Sequence, residues 1–292
     1  MPLVLPRFLH PMVPKAWRRR KPTVAVIRLS GVIGAVSPLR SGLSMATVAS
    51  SLESGFGMAG VSAVALVINS PGGSPAQSHL IHRRIRALAV EKKLPVYAFV
   101  EDVAASGGYM IACAADEIVA DPTSLIGSIG VVSAGFGFDK LIERIGIERR
   151  VHTQGEAKAM LDPFRPENPE DLVRLKAIQA DVQDLFTSLV NERRPAVRAG
   201  SANLFTGAVW TGRQALPLGL VDELGDVRTT LRARFGEDVV LKLVAEKQGS
   251  FVGRLLRRAV PGSTMIGLAG TGLAADALSA IEERAVWARY GL

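Results

Sequence analysis

The feature that most constrains the fold of this sequence is a series of short apolar runs separated by stretches with helical spacing. The runs predicted to form strands are 24–29, 63–69, 96–100, 117–121, 129–134 and 147–153. Residues 77–89 place apolar side chains three or four positions apart, and 107–115 and 166–193 are the other predicted helices. Strands that alternate with helices predict an α/β fold with a largely parallel sheet.

Two glycine-rich loops follow successive predicted strands, where open α/β sheets tend to bind ligands. The first loop reads NSPGGS (69–74) and the second reads ASGGY (105–109). Ser106 lies where a strand passes into a helix, a position that can expose its hydroxyl as a nucleophile. The backbone N–H groups of Gly73 and Gly107 are the candidates for an oxyanion hole beside it. A glycine pair is also typical of an ordinary turn, so each loop by itself leaves both interpretations open.

A serine nucleophile needs a base, and the four histidines do not offer a clear one. His10 lies in the N-terminal tail, and His79 and His82 fall on a predicted helix with several arginines. His152 has no evident carboxylate to orient it. Lys158 is the other candidate, because a lysine can act as a base where burial disfavours its charged form. A solvated loop lysine is the alternative interpretation of that residue.

Five sequence blocks between residues 24 and 227 resemble the signal peptide peptidase A family of Ser–Lys serine peptidases. The blocks are VAVIRLSGVIG, LVINSPGGSPAQS, VAASGGYMIACAADEIVADPTSLIGSIGVV, GEAKAMLDPFRP and GAVWTGRQALPLGLVDELGD. The resemblance implies a Clp protease/crotonase-like fold of repeated strand-strand-helix units. An extra helical segment is expected at the C-terminal end. A Clp-type protease would place a histidine around residues 130–131, and this sequence has none there.

The resemblance also implies a role for individual residues. Ser106 becomes the nucleophile and Lys158 the base, while Ser128 in GSIGV helps to hold the lysine amine. An extended peptide substrate is expected along the SPGG loop, with Gly72 and Ser74 as substrate-binding residues. We expect no metal and no other cofactor. Half-length members of the family further imply a ring-like homo-oligomer in which the lysine of one subunit serves the serine of its neighbour.

Charge and hydropathy bear on where the chain acts. The net charge is +8, and basic residues cluster at 18–21 and 254–258. A solvated tail or contact with an anionic membrane surface explains such clusters, and no recognisable nucleic-acid module accompanies them. Mean hydropathy is +0.24, yet no run of about 18 apolar residues predicts a spanning helix. The single cysteine, Cys113, suits a reducing compartment, so we expect a soluble or peripheral protein on the cytoplasmic side.

We therefore expect three regions: a basic irregular tail at 1–21, a Ser–Lys peptidase domain at 22–238, and an amphipathic C-terminal extension at 239–292. The expected function is that of a serine endopeptidase that cleaves apolar peptide segments, such as remnant signal peptides, through an acyl-enzyme. Two alternatives stay open at this point. One is a crotonase-like enzyme that acts on acyl thioesters, and the other is a non-catalytic, membrane-associated scaffold.

Overall fold

The structure is a computed structural model that describes residues 21–34, 42–155, 157–197, 204–245, 281 and 284–292. The strands are β1 (Thr23–Ser30), β2 (Val61–Ser70), β3 (Val96–Ala105), β4 (Glu117–Ala120), β5 (Leu125–Gly127), β6 (Val209–Thr211), β7 (Glu223–Leu224) and β8 (Val240–Leu243). The helices are α1 (Met45–Phe56), α2 (Pro75–Lys92), α3 (Gly107–Ala112), α4 (Asp139–Arg144), α5 (Pro169–Arg193), α6 (Gly212–Ala215) and α7 (Val227–Phe235).

All eight strands join one sheet, whose main path runs β6-β5-β3-β2-β1-β8. Strand β3 pairs with β2 along one edge and with two strands along the other. On that second edge, its first half pairs with β4 and its second half with β5. Strand β7 extends the branch at β4. Every pairing is parallel except that of β5 with β6. The predicted α/β class and the largely parallel sheet are confirmed.

The two faces of the sheet carry different cores, because successive side chains of a strand point to opposite faces. Ile27 and Leu66 belong to the larger core, which also contains buried residues of α1, α2, α3 and α5. Val26 and Ala65, one position away on the same strands, belong to a smaller core with Leu231 of α7. The nucleophile candidate therefore lies at the end of a strand that is covered on both faces.

Two predicted strands are wrong. The apolar run 129–134 is not a strand, because β5 ends at Gly127 and Ser128 turns the chain with a φ of 50°. Residues 147–153 also form no strand, and most of them are exposed. Strand β8 lies past residue 238 and pairs with β1, so the sheet includes residues from the range expected to form the extension.

Several expectations fall on residues outside the described ranges. They concern the tail at 1–20, the basic cluster at 254–258 and most of the C-terminal extension. Lys21 is described, and its Nζ lies 3.3 Å from Asp238 Oδ1. In the described part of the chain, no helix is both long and apolar enough to cross a membrane.

The carboxyl end of α3 is held by arginines from two other helices. Arg193 donates from Nε to the Cys113 carbonyl and from Nη2 to the Ala115 carbonyl, each at 3.0 Å. Arg86 donates to the Ala114 carbonyl at 3.1 Å. His82 is buried beside these cations, and burial first, then Arg193, lowers its pKa to about 4.

We expect His82 to make the fold acid-sensitive. The unfolded chain takes up this proton near pH 6.5, whereas the folded chain takes it up only near pH 4. The stability that comes from a neutral His82 is therefore complete above pH 6.5 and falls as the pH drops toward 4, by roughly 3 kcal/mol in total. Denaturant unfolding at several pH values measures this loss.

The variant His82→Gln should flatten that pH dependence, because its side chain does not titrate. The matched control is His152→Gln, which changes an exposed histidine and should leave the pH dependence as it is. An identical slope between pH 6.5 and 4 in His82→Gln and the unchanged chain would contradict the prediction.

Candidate active site

Ser106 sits on a sharp turn between β3 and α3. Its φ is 51° and its ψ is −122°, a conformation that costs a residue with a side chain about 1–3 kcal/mol. Two backbone hydrogen bonds hold it there: the Ser106 N–H donates to the Gly127 carbonyl at 2.8 Å, and the Met110 N–H donates to the Ser106 carbonyl at 3.0 Å. Strain that is held in this way places the hydroxyl at the start of α3.

Glycines let neighbouring backbone pack directly against this turn. A Cβ on Gly72, whose φ is 101°, would lie 2.8 Å from both the Ser106 Cβ and the Ala105 carbonyl oxygen. A Cβ on Gly107 would lie 2.2 Å from the Ser78 Oγ. A larger side chain at either position would force a neighbouring residue to move. The Gly72 contacts also show that the two glycine-rich loops touch each other directly.

The loop at 71–74 presents two different sides. On one side it pairs with Ile33, which donates to the Gly72 carbonyl and accepts from the Ser74 N–H, both at 2.8 Å. On the other side, Pro71 and Gly73 line a cavity. Within the described chain, the N–H groups of Gly73 and Gly107 have no hydrogen-bond acceptor. Two unused donors therefore lie on the wall where Ser106 stands.

Ser128 repeats the geometry of Ser106 one strand away. Ala105 pairs with Gly127, so each serine is the first residue after a paired strand end. The φ of Ser128 is 50°, and its N–H donates to the Ala208 carbonyl at 2.7 Å. The register of β3 and β5 thus brings both hydroxyls to one edge of the sheet.

The cavity beside these serines has a volume of about 830 Å³. Its wall includes Pro71, Gly73, Ser106, Gly107, Met110, Ser128, Lys176, Gln183, Phe186, Phe205, Val286, Arg289 and Tyr290. Its walls are therefore mostly apolar, with hydroxyl, amide and cationic groups at a few points. Apolar walls with a few polar groups are typical of a ligand-binding cleft.

The structure does not bring all the predicted site residues to this cavity. Gly72 and Ser74 shape the loop without lining the cavity, and Ser74 caps α2 by accepting from the Gln77 N–H. Lys158 is exposed and lies outside the cavity wall. Among the described residues, Lys176 of α5 is the lysine on that wall.

Lys158 belongs to an exposed segment made of residues 132–155 and 157–165, which we call the arm. Its two limbs are held together by the Phe138 N–H, which donates to the Pro163 carbonyl at 2.6 Å, and by an ion pair between Arg149 and Asp162 at 3.0 Å. Helix α4 within it has no buried residue. Val132 and Phe136 are 65% and 76% exposed, which leaves apolar surface on the arm open.

Sequence reasoning missed the wall that α5 and residue 290 supply. Lys176, Gln183 and Phe186 follow a helical spacing and could have been recognised as one face of α5. Tyr290 gave no comparable signal, because its contact with Ser128 spans 162 positions of the chain.

Comparison with known proteins adds family evidence to this geometry. The sequence profile of peptidase family S49 matches residues 89–238. The chain is 49% identical to a protein of Brucella abortus named Na(+)/H(+) antiporter NhaA, over 99% of this chain and 39% of that protein. It is 36% identical to the chloroplastic serine protease SPPA of Arabidopsis thaliana, over 69% of this chain and 30% of that protein. The chain thus spans well under half of either relative.

A solved structure of the 1510-N membrane-bound stomatin-specific protease, in complex with a substrate peptide, is also similar. The TM-score is 0.48 at 16% identity, and the match covers 82% of this chain and 97% of that one.

We expect Gly107→Ala to destabilise the fold by about 1–3 kcal/mol, because the new methyl group would meet the Ser78 Oγ. Ser78→Ala alone should cost about 1 kcal/mol, since the Ser78 Oγ donates to the Ser74 carbonyl at 2.8 Å. The double variant should cost less than the sum of the two, because the 2.2 Å contact with the Ser78 Oγ is gone and only contacts at 3.2 Å, with Ile33 Cδ1 and the Cβ of residue 78, remain. Denaturant unfolding of all three measures this, and strictly additive costs would show that the two side chains do not meet.

Proposed function

The chain belongs to peptidase family S49, and from that premise we propose that it is a serine endopeptidase with Ser106 as its nucleophile. This agrees with the family predicted from the five sequence blocks. The observation that carries the proposal is the strained turn at Ser106, which faces a cavity together with Ser128 and two unused backbone donors. A turn of this kind exposes a serine hydroxyl, and free N–H groups beside it suit the oxyanion of acyl transfer.

The proposed reaction proceeds in two halves. The Ser106 Oγ attacks the carbonyl carbon of the scissile peptide bond while its proton passes to the neutral amine of Lys158. The N–H groups of Gly73 and Gly107 stabilise the resulting oxyanion. The Lys158 ammonium formed in this way then protonates the leaving nitrogen, the C–N bond breaks, and an acyl-enzyme remains on Ser106. Water, deprotonated by the same amine, hydrolyses that ester and restores the serine.

Lys158 has to reach a cavity that it does not line in its own chain, so we propose that it serves Ser106 of a neighbouring subunit. Two observations support this. Lys158 is exposed on the arm, and the arm leaves apolar side chains such as Val132, Phe136 and Ile145 in solvent. A neighbouring subunit that covers this surface would bury it and deliver the lysine together. Docking of the arm on a neighbouring subunit would thus form both the homo-oligomer and the shared Ser–Lys dyad.

The substrate proposed for this site is an extended, apolar peptide segment, of which a remnant signal peptide is one example. Met110, Phe186 and Phe205 supply apolar walls. The free side of the 71–74 loop offers the Gly73 N–H, and a backbone that adds to this edge would pair with it as a strand.

The predicted contact with anionic membranes stays a proposal as well, since the basic clusters lie almost wholly outside the described residues.

A fluorophosphonate probe tests the nucleophile directly. It should attach to Ser106 in the unchanged chain and leave Ser106→Ala unlabelled, because the probe needs an activated serine. The two alternatives, an acyl-thioester enzyme and a non-catalytic scaffold, both leave Ser106 unlabelled. Peptide mapping of the labelled chain therefore decides among the three.

We expect Ser106→Ala and Lys158→Ala each to lower peptidase activity by about 10⁴-fold or more, since nucleophile and base act as a unit. When the two inactive proteins are mixed and exchange subunits, activity should return in part. Some interfaces then place an intact lysine beside an intact serine. Hydrolysis of a quenched fluorescent peptide before and after mixing measures the effect.

The matched control is Lys140→Ala, which removes another exposed lysine of the arm and should keep full activity. If subunit exchange is demonstrated and the mixture stays inactive, the dyad forms within one chain. If Lys176→Ala is inactive while Lys158→Ala retains activity, the base is Lys176 instead.

We expect activity to rise toward alkaline pH, because an amine accepts the serine proton only when it is neutral. Ser128→Ala should lower the rate less than loss of either dyad residue and should alter the shape of the pH–rate profile, because the amine loses an orienting hydroxyl. Ser133→Ala, which removes an exposed hydroxyl nearby in sequence, is the control. A Ser128→Ala profile that overlays that of Ser133→Ala would remove Ser128 from the mechanism.

A further inference from the structure

The segment 284–292 lies against the cavity that contains Ser106. Val286, Arg289 and Tyr290 all form part of its wall. The Tyr290 hydroxyl oxygen lies 3.4 Å from the Ser128 Oγ and 3.5 Å from the Pro71 carbonyl oxygen, so its single proton is shared between two long hydrogen bonds. One side chain therefore touches both of the strand-end loops that build the site.

The two groups that Tyr290 contacts are groups that the proposed reaction needs. Pro71 lies on the free side of the 71–74 loop, where an extended peptide would pair next to the Gly73 N–H. Ser128 is the proposed partner of the lysine amine. Tyr290 thus stands where a substrate backbone and the incoming base would both have to pass.

The segment occupies the cleft in a conformation that does not suit cleavage. Residues 284–288 are helical, and a turn follows in which the Tyr290 N–H donates to the Trp287 carbonyl at 2.9 Å. The Gly291 N–H likewise donates to the Ala288 carbonyl at 3.1 Å. A backbone that is bonded to itself in this way cannot pair with a loop edge as an extended strand does. The segment can therefore fill the cleft without being cut there.

The contact continues past the main cavity. Tyr290 also borders a second cavity, together with Leu292, Asp102 in the second half of β3 and Asp121 just after β4. Val286, Trp287 and Tyr290 are all partly buried, a spacing that places them on one side of a helical turn. The segment is thus seated through several side chains and along more than one part of the surface.

We propose that residues 284–292 act as an internal competitive inhibitor: they occupy the substrate cleft of their own chain through Tyr290, and a peptide substrate must displace them. The claim of inhibition rests on the proposed peptidase function. The claim that the segment occupies the cleft does not depend on that function. When the segment leaves, Ser128 and the Pro71 edge become available together. The apparent KM equals the KM of the open cleft divided by the fraction of molecules whose cleft is open. At saturating substrate every cleft is open, so kcat is unchanged.

The first experiment compares Tyr290→Ala with the unchanged full chain, by hydrolysis of a quenched fluorescent peptide. We expect KM to fall by about tenfold at constant kcat, as when a closed state that predominates is abolished. Arg284→Ala changes an exposed residue of the same segment and should behave like the unchanged chain. An unchanged or higher KM in Tyr290→Ala overturns the proposal.

The second experiment measures access to the cleft without any catalysis. In the full chain carrying Ser106→Cys, a bulky maleimide reports how often the introduced thiol is exposed, and the native Cys113 is fully buried. Adding Tyr290→Ala should raise the labelling rate by about tenfold, and adding Arg284→Ala should not change it. Equal rates with and without Tyr290 overturn occupation of the cleft. A tenfold rise in a chain that hydrolyses no peptide would refute the peptidase function and leave the occupied cleft standing.

Discussion

The register between β3 and β5 is the constraint on which the whole candidate site depends. Ala105 pairs with Gly127, so Ser106 and Ser128 leave the sheet side by side and turn with almost the same φ. The hydrogen bond from the Ser106 N–H to the Gly127 carbonyl links the two turns. A slip of β5 by one residue would exchange its two faces and separate the hydroxyls, so a single pairing specifies both groups.

The sequence predicted what local chemistry determines. Strand and helix periods indicated the α/β class, which the structure confirms. The serine followed by two glycines indicated a turn between a strand and a helix, and Ser106 lies on such a turn beside the cavity. The same periodicity misled at 129–134 and 147–153. Ile129 is buried in the larger core without being in a strand, whereas most of the other apolar residues of these runs are exposed on the arm. A run of apolar residues therefore does not distinguish a strand from a buried turn or from an exposed segment.

What the sequence could not predict is contact between distant parts of the chain. Lys176 reaches the cavity because α5 crosses beside α3, and Tyr290 reaches it from the far end of the chain. Helical spacing marks Lys176 as part of one face of α5 but does not say which cavity that face lines, and no local motif connects Tyr290 with the site. Lys158 shows the converse. The family resemblance implies that it is the base, but within one chain it does not line the cavity of Ser106, and this is why we propose that it serves a neighbouring subunit.

The two proposals about Ser128 constrain each other. A hydroxyl oxygen can accept more than one hydrogen bond, so Tyr290 and a lysine amine would not exclude each other by hydrogen-bonding capacity alone. They compete for volume, because the ring of Tyr290 fills part of the space next to Ser128 through which an amine must approach. An arm that docks from a neighbouring subunit would therefore favour departure of residues 284–292. By linkage, departure of the segment would favour docking of the arm by the same free energy. Assembly of the subunits and departure of residues 284–292 from the cleft would then be two coupled parts of one equilibrium.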